Sequence, residues 1–296
     1  MQGKIIKGIG GFYYVKTADG DLYECRARGK FRNVDLKPQI GDNVSIEPTE
    51  EEYKGYVTAI ETRKNSFVRP PISNIDGMII VASLNNPAPD TMFIDKMLVI
   101  CEKCNIDAAV CFNKSDLADN EFKESIVKTY DDIGYKTIVT CTLTGEGTDE
   151  IKKFLCGKTT AFAGFSGVGK SSLLNCILGS YNMQTGDVSK KLKRGKHTTR
   201  HVELFCTESG GDNTYIADTP GFSMLELPDD IKADNLKSYF KEFAKYEDNC
   251  KFGDCMHTSP KFCGVYDAVL QGSISQSRYE NYKAIYNELK NKKEWQ

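Results

Sequence analysis

A chain of 296 residues, 40% apolar and 27% charged, is long enough for two or three domains and has the balance of a soluble globular protein. The most apolar run, Gly77 to Leu84, is far too short to span a bilayer, and Met1-Gln2-Gly3-Lys4 opens no signal-peptide core, so a cytoplasmic location is expected. A net charge of −2 excludes a whole-chain electrostatic case for nucleic acid, and an odd count of 11 cysteines argues for reduced thiols rather than a disulfide framework.

Residues 1 to about 62 carry short β-rich runs, Ile5–Ile9, Phe12–Val15, Asp21–Cys25, Asn43–Ile46 and Tyr56–Ile60, separated by turn signals such as Asp19-Gly20 and Gly41-Asp42. Strands this short and this frequent predict a small barrel of the OB kind. Arg26 to Arg32 holds four basic residues and no acidic one; it reads either as a solvated basic hairpin or as an RNA-facing loop with Phe31 free to stack. Thr62 to Pro71 reads as a linker.

Then βα units begin. Met78–Ala82 is a strand, Thr91–Cys104 a helix, Ala108–Phe112 a strand, Phe122–Tyr130 a helix and Thr137–Val139 a strand, an alternation that predicts a parallel sheet covered by helices. Cys101-x2-Cys104 falls within the helix and has no partner nearby, so it is taken as structural. Directly after the second strand stand Asn113, Lys114, Ser115 and Asp116, the Asn-Lys-x-Asp reader of guanine. The Asp116 carboxylate would accept from the guanine N1–H and N2 amino group, donors that adenine lacks there. Asn113 is expected on the N7/O6 side of the purine and Lys114 over the base. Cys141 to Gly147 resembles the fifth GTPase motif, with Cys and Thr in place of the usual Ser-Ala.

Gly164-Phe165-Ser166-Gly167-Val168-Gly169-Lys170-Ser171 is a phosphate-binding loop, placed between an apolar run and the helix pattern that starts at Ser172. Its backbone N–H groups would face the phosphates, Lys170 would reach the β- and γ-phosphates, and the Ser171 hydroxyl would ligate Mg²⁺. Asp187 to His201 has six Lys or Arg against one Asp, the strongest charge run in the chain, and contains Thr198 and Thr199, of which Thr199 is expected to close on Mg²⁺ and the γ-phosphate. A strand at Thr214–Ala217 leads into Asp218-Thr219-Pro220-Gly221, the Asp-x-x-Gly motif, with Asp218 near Mg²⁺ and the Gly221 N–H near the γ-phosphate.

The motifs are complete and out of order, since the guanine reader precedes the phosphate loop. A circular permutation explains this, because the termini of compact domains often lie close together. Phe222 stands where many GTPases carry a water-orienting Gln, so His197 becomes the candidate to orient water; the other reading makes it one more member of a basic, partner-facing loop. Residues 229 to 246 are predicted helical, with Ile231, Leu236, Tyr239, Phe240 and Phe243 on one stripe. Cys250-x4-Cys255-x-His257-x5-Cys263 then supplies the four donors of a structural zinc site. A last helix carries Tyr279, Tyr282, Ile285, Tyr286 and Leu289.

Taken together, the motif order, the Gly195-Lys196-His197-Thr198-Thr199 run, the Cys₃His cluster and the flanking Arg69-Pro70, Gly264-Val265 and Arg278-Tyr279-x2-Tyr282 resemble the RsgA (YjeQ, EngC) family of small ribosomal subunit biogenesis GTPases over the whole chain. Lys196 replaces the family's usual Arg, and Ser259 a common acidic residue. The expected architecture is multidomain α/β: an OB-like barrel (1–64), a circularly permuted P-loop GTPase domain (65–226) and a helical zinc-binding domain (227–296). The resemblance implies late binding to the small subunit and its rRNA, GTP hydrolysis stimulated by that subunit, and release afterwards. Residues Gly164 to Ser172, Asn113 to Asp116, Asp218 and Gly221 would hold GTP or GDP with Mg²⁺. One Zn²⁺ per chain is expected, in a monomer with no membrane partner. Three other readings stay open: a permuted GTPase of the large subunit or another RNA particle, a P-loop ATPase or kinase, and a non-catalytic zinc protein that binds RNA.

Overall fold

The computed structural model describes residues 1–32, 36–179, 202–207, 214–218 and 226–292. They form two compact units, each discontinuous along the chain. The first contains the N-terminal barrel. Its strands are β1 (Gln2–Ile9), β2 (Phe12–Thr17), β3 (Leu22–Ala27), β4 (Asn43–Pro48) and β5 (Lys54–Ile60). The pairs β1–β2, β2–β3, β4–β5 and β1–β4 are antiparallel and β3–β5 is parallel, which closes the sheet on itself and leaves no free barrel edge. Period-two alternation sends Ile5, Val15, Cys25, Val44, Ile46 and Val57 inside, all buried.

The segment expected to be a linker is built structure. It contributes β6 (Ser66–Phe67), which pairs with β7 (Ile72–Ser73) just beyond it. Arg63 grips the fully buried Asp42 carboxylate through two nitrogens at 2.7 and 2.8 Å, and Ser73 donates to the same group at 2.6 Å. Arg63, which looks like solvated linker in the sequence, is thus a partner of a buried charge.

In the same unit, β1 pairs with β12 (Glu203–Cys206) at Lys7↔Glu203, β12 pairs with β13 (Tyr215–Asp218), and β13 runs parallel to β11 (Thr159–Ala163). Helices α3 (Thr148–Leu155) and α4 (Lys170–Gly179) belong here too.

The second unit takes the inner end of β8 (Gly77–Ser83), α1 (Thr91–Cys104), β9 (Asp107–Asn113), α2 (Asn120–Asp131) and β10 (Lys136–Thr140), with strand order β10-β9-β8. β9 and β10 are parallel, and β8 is buried along its length, the signature of a strand covered on both faces. α1 starts where the Asp90 side chain caps Phe93 N and stops at Asn105, which adopts the left-handed conformation at φ 51°.

The stripe at 229 to 246 does not make an α-helix. Successive 3₁₀ turns, Leu236–Tyr239, Lys241–Lys245 and Glu247–Asn249, replace it. Asn235 caps Lys232 N with one end of its amide and holds Asp230 O with the other, a local bond that competes with helix initiation. Leu236, Phe240 and Phe243 are still buried, packed with Ile231, Tyr282 and Ile285. The chain ends in α5 (Gly264–Leu270), a helix with no counterpart in the expectation, and α6 (Gln276–Asn291).

Candidate functional site

The phosphate loop follows β11 and leads into α4, so strand, glycine loop and helix occur as the motif requires. Gly164 and Gly169 have φ of 150° and 93°. A Cβ on Gly164 would lie 2.4 Å from Val81 O, and one on Gly169 would lie 2.2 Å from Asn113 Nδ2. Both positions therefore combine a backbone that side chains avoid with no room for one. Val168 is buried, while Phe165, Ser166 and Gly167 are exposed. The Phe165 ring meets Phe93 of α1 at 4.5 Å between centroids.

Asn113 closes β9 and is fully buried. Its Nδ2 donates to Val168 O at 3.0 Å, and its Oδ1 accepts from Thr140 Oγ1 at 3.1 Å. The side chain thus ties the phosphate loop to β10, using one of its two Nδ2 hydrogens and one of its two Oδ1 lone pairs. Lys114 takes the left-handed conformation, φ 61°, and its ammonium donates to Asn86 O. Asp116 is exposed, so its carboxylate is open to a partner from solvent.

The Cys141–Gly147 turn grips this tetrad from the other side. The Cys141 thiol donates to Asp116 Oδ1 at 3.3 Å, and Ser115 Oγ donates to Glu146 Oε2 at 2.7 Å. Cys141 N donates to Glu146 O at 3.2 Å, closing the turn. A weak thiol donor takes one lone pair of Asp116 and leaves the rest of the carboxylate for a bidentate partner.

In the C-terminal segment, the ligand atoms of Cys250, Cys255, His257 and Cys263 all lie within 4.8 Å of one another. His257 Nδ1 is 3.6 Å from Cys250 Sγ and 3.5 Å from Cys263 Sγ. Three sulfurs and one imidazole in this space suit a tetrahedral zinc ion with bonds of roughly 2.0–2.3 Å. The surroundings are prepared for it. Gly264 N–H points at Cys250 Sγ at 3.2 Å, and Tyr266 N–H at Cys263 Sγ at 3.4 Å, so Cys263 also caps α5. His257 Nε2 faces Glu247 Oε1 at 3.6 Å. Burial pushes the His257 imidazole pKa down and the Cys263 thiol up to about 12, the latter a cost that a dication reverses.

The RsgA GTPase family model matches residues 60–228, more than half of the chain, and the RsgA N-terminal domain model matches residues 2–57. The chain belongs to the RsgA family. It is 44% identical over 292 residues to the small ribosomal subunit biogenesis GTPase RsgA of Caldanaerobacter subterraneus subsp. tengcongensis, covering 99% of this chain and 97% of that one. The Clostridium novyi protein of the same name is 46% identical over 289 residues, covering 98% and 97%. Among solved structures, YjeQ from Thermotoga maritima matches with a TM-score of 0.84 at 35% identity over 99% of both chains. YloQ, described as a circularly permuted GTPase, matches with 0.80 at 34% identity over 99% and 96%. The chain is thus a circularly permuted GTPase, a hydrolase acting on GTP.

Of the residues expected in an RsgA site, the described structure joins Asn113 to the phosphate loop and Ser115 and Asp116 to the fifth motif. Lys170, Ser171 and Ser172 open α4, with both serines exposed, and Asp218 ends β13. His197, Thr199 and Gly221, with Phe222 and the basic run, lie outside the described residues. Sequence reasoning missed the side-chain roles of Cys141 and Glu146, although the Thr-Gly-Glu-Gly run marked the turn that delivers them. Among the described residues no helix is long and apolar enough to cross a membrane.

Proposed function

We propose that this chain binds the small ribosomal subunit and its rRNA late in maturation and hydrolyses GTP in response, so that hydrolysis times its release. The observation that carries the reading is the match, along almost its whole length, to relatives named for small-subunit biogenesis. The guanine-reading tetrad, tied to the phosphate loop through Asn113 and Val168, supports GTP as the fuel.

In this reading Gly164 to Ser172, Asn113 to Asp116, Asp218 and Gly221 hold the nucleotide, with Asp116 selecting guanine. Asn113 fixes the loop and meets the N7/O6 side of the purine. Lys170 meets the β- and γ-phosphates, Thr199 closes over the γ-phosphate and His197 orients the attacking water. Ser171 and Asp218 would hold Mg²⁺, which neutralises phosphate charge when bound. Cys250, Cys255, His257 and Cys263 would hold one Zn²⁺; with four protein donors it has no open position, and its role is structural. The protein works in the cytoplasm as a monomer, divided near residues 64 and 226 into barrel, GTPase and zinc domains.

The test is GTP turnover with and without purified small subunits, repeated with Lys170→Ala. Stimulation by small subunits that is lost in the variant is expected. Stimulation by large subunits alone, or none by either, would overturn the reading.

A further inference from the structure

The zinc-ligating segment presents two aromatic rings to solvent. Phe252 is 54% and Phe262 62% exposed, although each lies one or two residues from a cysteine of the metal cluster. Phe262 also has a left-handed backbone, φ 61°, a conformation that bulky residues avoid and that costs free energy wherever it is kept. Its carbonyl accepts from Lys251 N at 3.1 Å, which holds the two flanks of the segment side by side. One cation serves both rings: Lys251 Nζ lies 4.5 Å from the Phe262 centroid and 5.8 Å from that of Phe252.

The charges around the rings point to the occupant. Between Lys251 and Cys263 the sequence has one acidic residue, Asp254, against Lys251 and Lys261. Neither lysine forms an ion pair among the described residues. The segment therefore pairs exposed rings with ammonium groups that no carboxylate among the described residues neutralises. They suit a nucleobase, which stacks on a ring while its phosphate meets a cation. A segment pinned by four metal ligands also holds the rings ready, so little ordering is lost on contact.

We propose that Phe252, Phe262 and Lys251 form a stacking surface for an unpaired RNA base, the rings supplying the platform and Lys251 meeting the adjoining phosphate. The proposal rests on the small-subunit reading above and names the chemistry by which the zinc segment takes part in it.

Two measurements test it on the full chain loaded with a non-hydrolysable GTP analogue. The first is cosedimentation with purified small subunits. The Phe252→Ala/Phe262→Ala variant should lose roughly tenfold or more in affinity, while zinc content and intrinsic GTP turnover stay at wild-type levels. The second places Phe262→Trp in a Trp295→Phe background, which leaves a single indole in the chain. Its fluorescence should be quenched by a single-stranded oligoadenylate and not by duplex RNA. If wild type binds subunits and the double variant binds equally well, the stacking surface is refuted. If the double variant loses binding yet no quenching occurs, the rings meet a ribosomal protein and the RNA assignment falls. If wild type itself binds no subunits, the small-subunit reading fails, and the quenching still decides the surface.

Discussion

Asn113→Ala separates a positioning role from a purine contact. The native amide donates to Val168 O at 3.0 Å and accepts from Thr140 Oγ1 at 3.1 Å, with no exposure to solvent. Truncation orphans the Val168 carbonyl, a cost of about 1–3 kcal/mol. Thr140 keeps a second neighbour in Cys111 Sγ at 3.4 Å, so its loss falls at the low end of the same range. The two together come to about 2–4 kcal/mol, which lowers melting by roughly 5–10 °C in a cooperative unit of this size. The assay is thermal unfolding without nucleotide, paired with titration of a fluorescent GTP analogue. Asn113→Ala should lower both melting and affinity. Asp116→Ala, at an exposed carboxylate, should abolish tight guanine binding and shift the nucleotide-free melt by less than about 1 °C, since surface changes cost little. If Asn113→Ala weakens GTP yet leaves the nucleotide-free protein as stable as wild type, the tie is not structural and the argument from burial fails.

Other outcomes follow from the same contacts. Gly169→Ala should destroy nucleotide binding, since its Cβ would meet Asn113 Nδ2 at 2.2 Å on a backbone at φ 93°; retained binding would mean that the buried amide moves freely. Chelation should release one metal ion per chain and expose residues 250–270 to protease while GTP affinity changes less than about twofold; protection unchanged after metal loss would refute a structural zinc. Asp76 accepts from Thr159 N at 3.0 Å and pairs with Lys64 at 2.8 Å. Burial acts to raise its pKa, but Lys64, the Thr159 N–H and Lys4 outweigh burial and leave it below its ordinary value. A depressed carboxylate stabilises the fold above its unfolded pKa and loses that contribution as pH falls through the folded one, so the melting gap between wild type and Asp76→Asn should close below about pH 4. A gap that stays constant to pH 3 would show that the carboxylate charge does not matter. Arg278→Ala should cost about 3–5 kcal/mol by stranding Asp95 and Glu242, and replacing all three with Met and Leu should recover most of it in denaturant melts.

What was legible in the chain depended on whether a signal constrained backbone or side chains. Motifs with glycines at fixed offsets encode backbone shape, and the phosphate loop came out as strand, loop and helix. α1 runs from Thr91 to Cys104 as its apolar period predicts, because Asp90 and Asn105 mark both ends chemically. The 229–246 stripe failed for a related reason: an amphipathic spacing of three and four residues is also met by consecutive 3₁₀ turns, and a side chain such as Asn235 decides between them. Partnerships between distant polar residues were invisible. Nothing local tells that Arg63 belongs to Asp42, that Asn113 faces inward, or that Arg278 is buried, since each is settled by an element far away in sequence.

Arg278 also gives α1 a meaning that its apolar face alone does not. At its first turn, the Phe93 ring of α1 meets Phe165 of the phosphate loop at 4.5 Å. Two residues on, Asp95 takes Arg278 NH1 at 2.7 Å and Asn281 Nδ2 at 2.7 Å, both from α6. Arg278 also binds Glu242 at 2.8 Å and lies over the Phe240 ring at 4.5 Å, and Phe240 and Phe243 pack on Tyr282. Phe243 in turn meets the His257 ring at 5.6 Å. A single turn of helix thus carries both a loop contact and the anchor of the C-terminal segment. A fully buried guanidinium with two carboxylates has one favourable arrangement, because any shift of α6 along α1 would strand charge in the core. A stack of apolar side chains would tolerate such sliding. The ionic anchor fixes the register of α6 on α1, and the same turn of α1 carries the ring contact to Phe165.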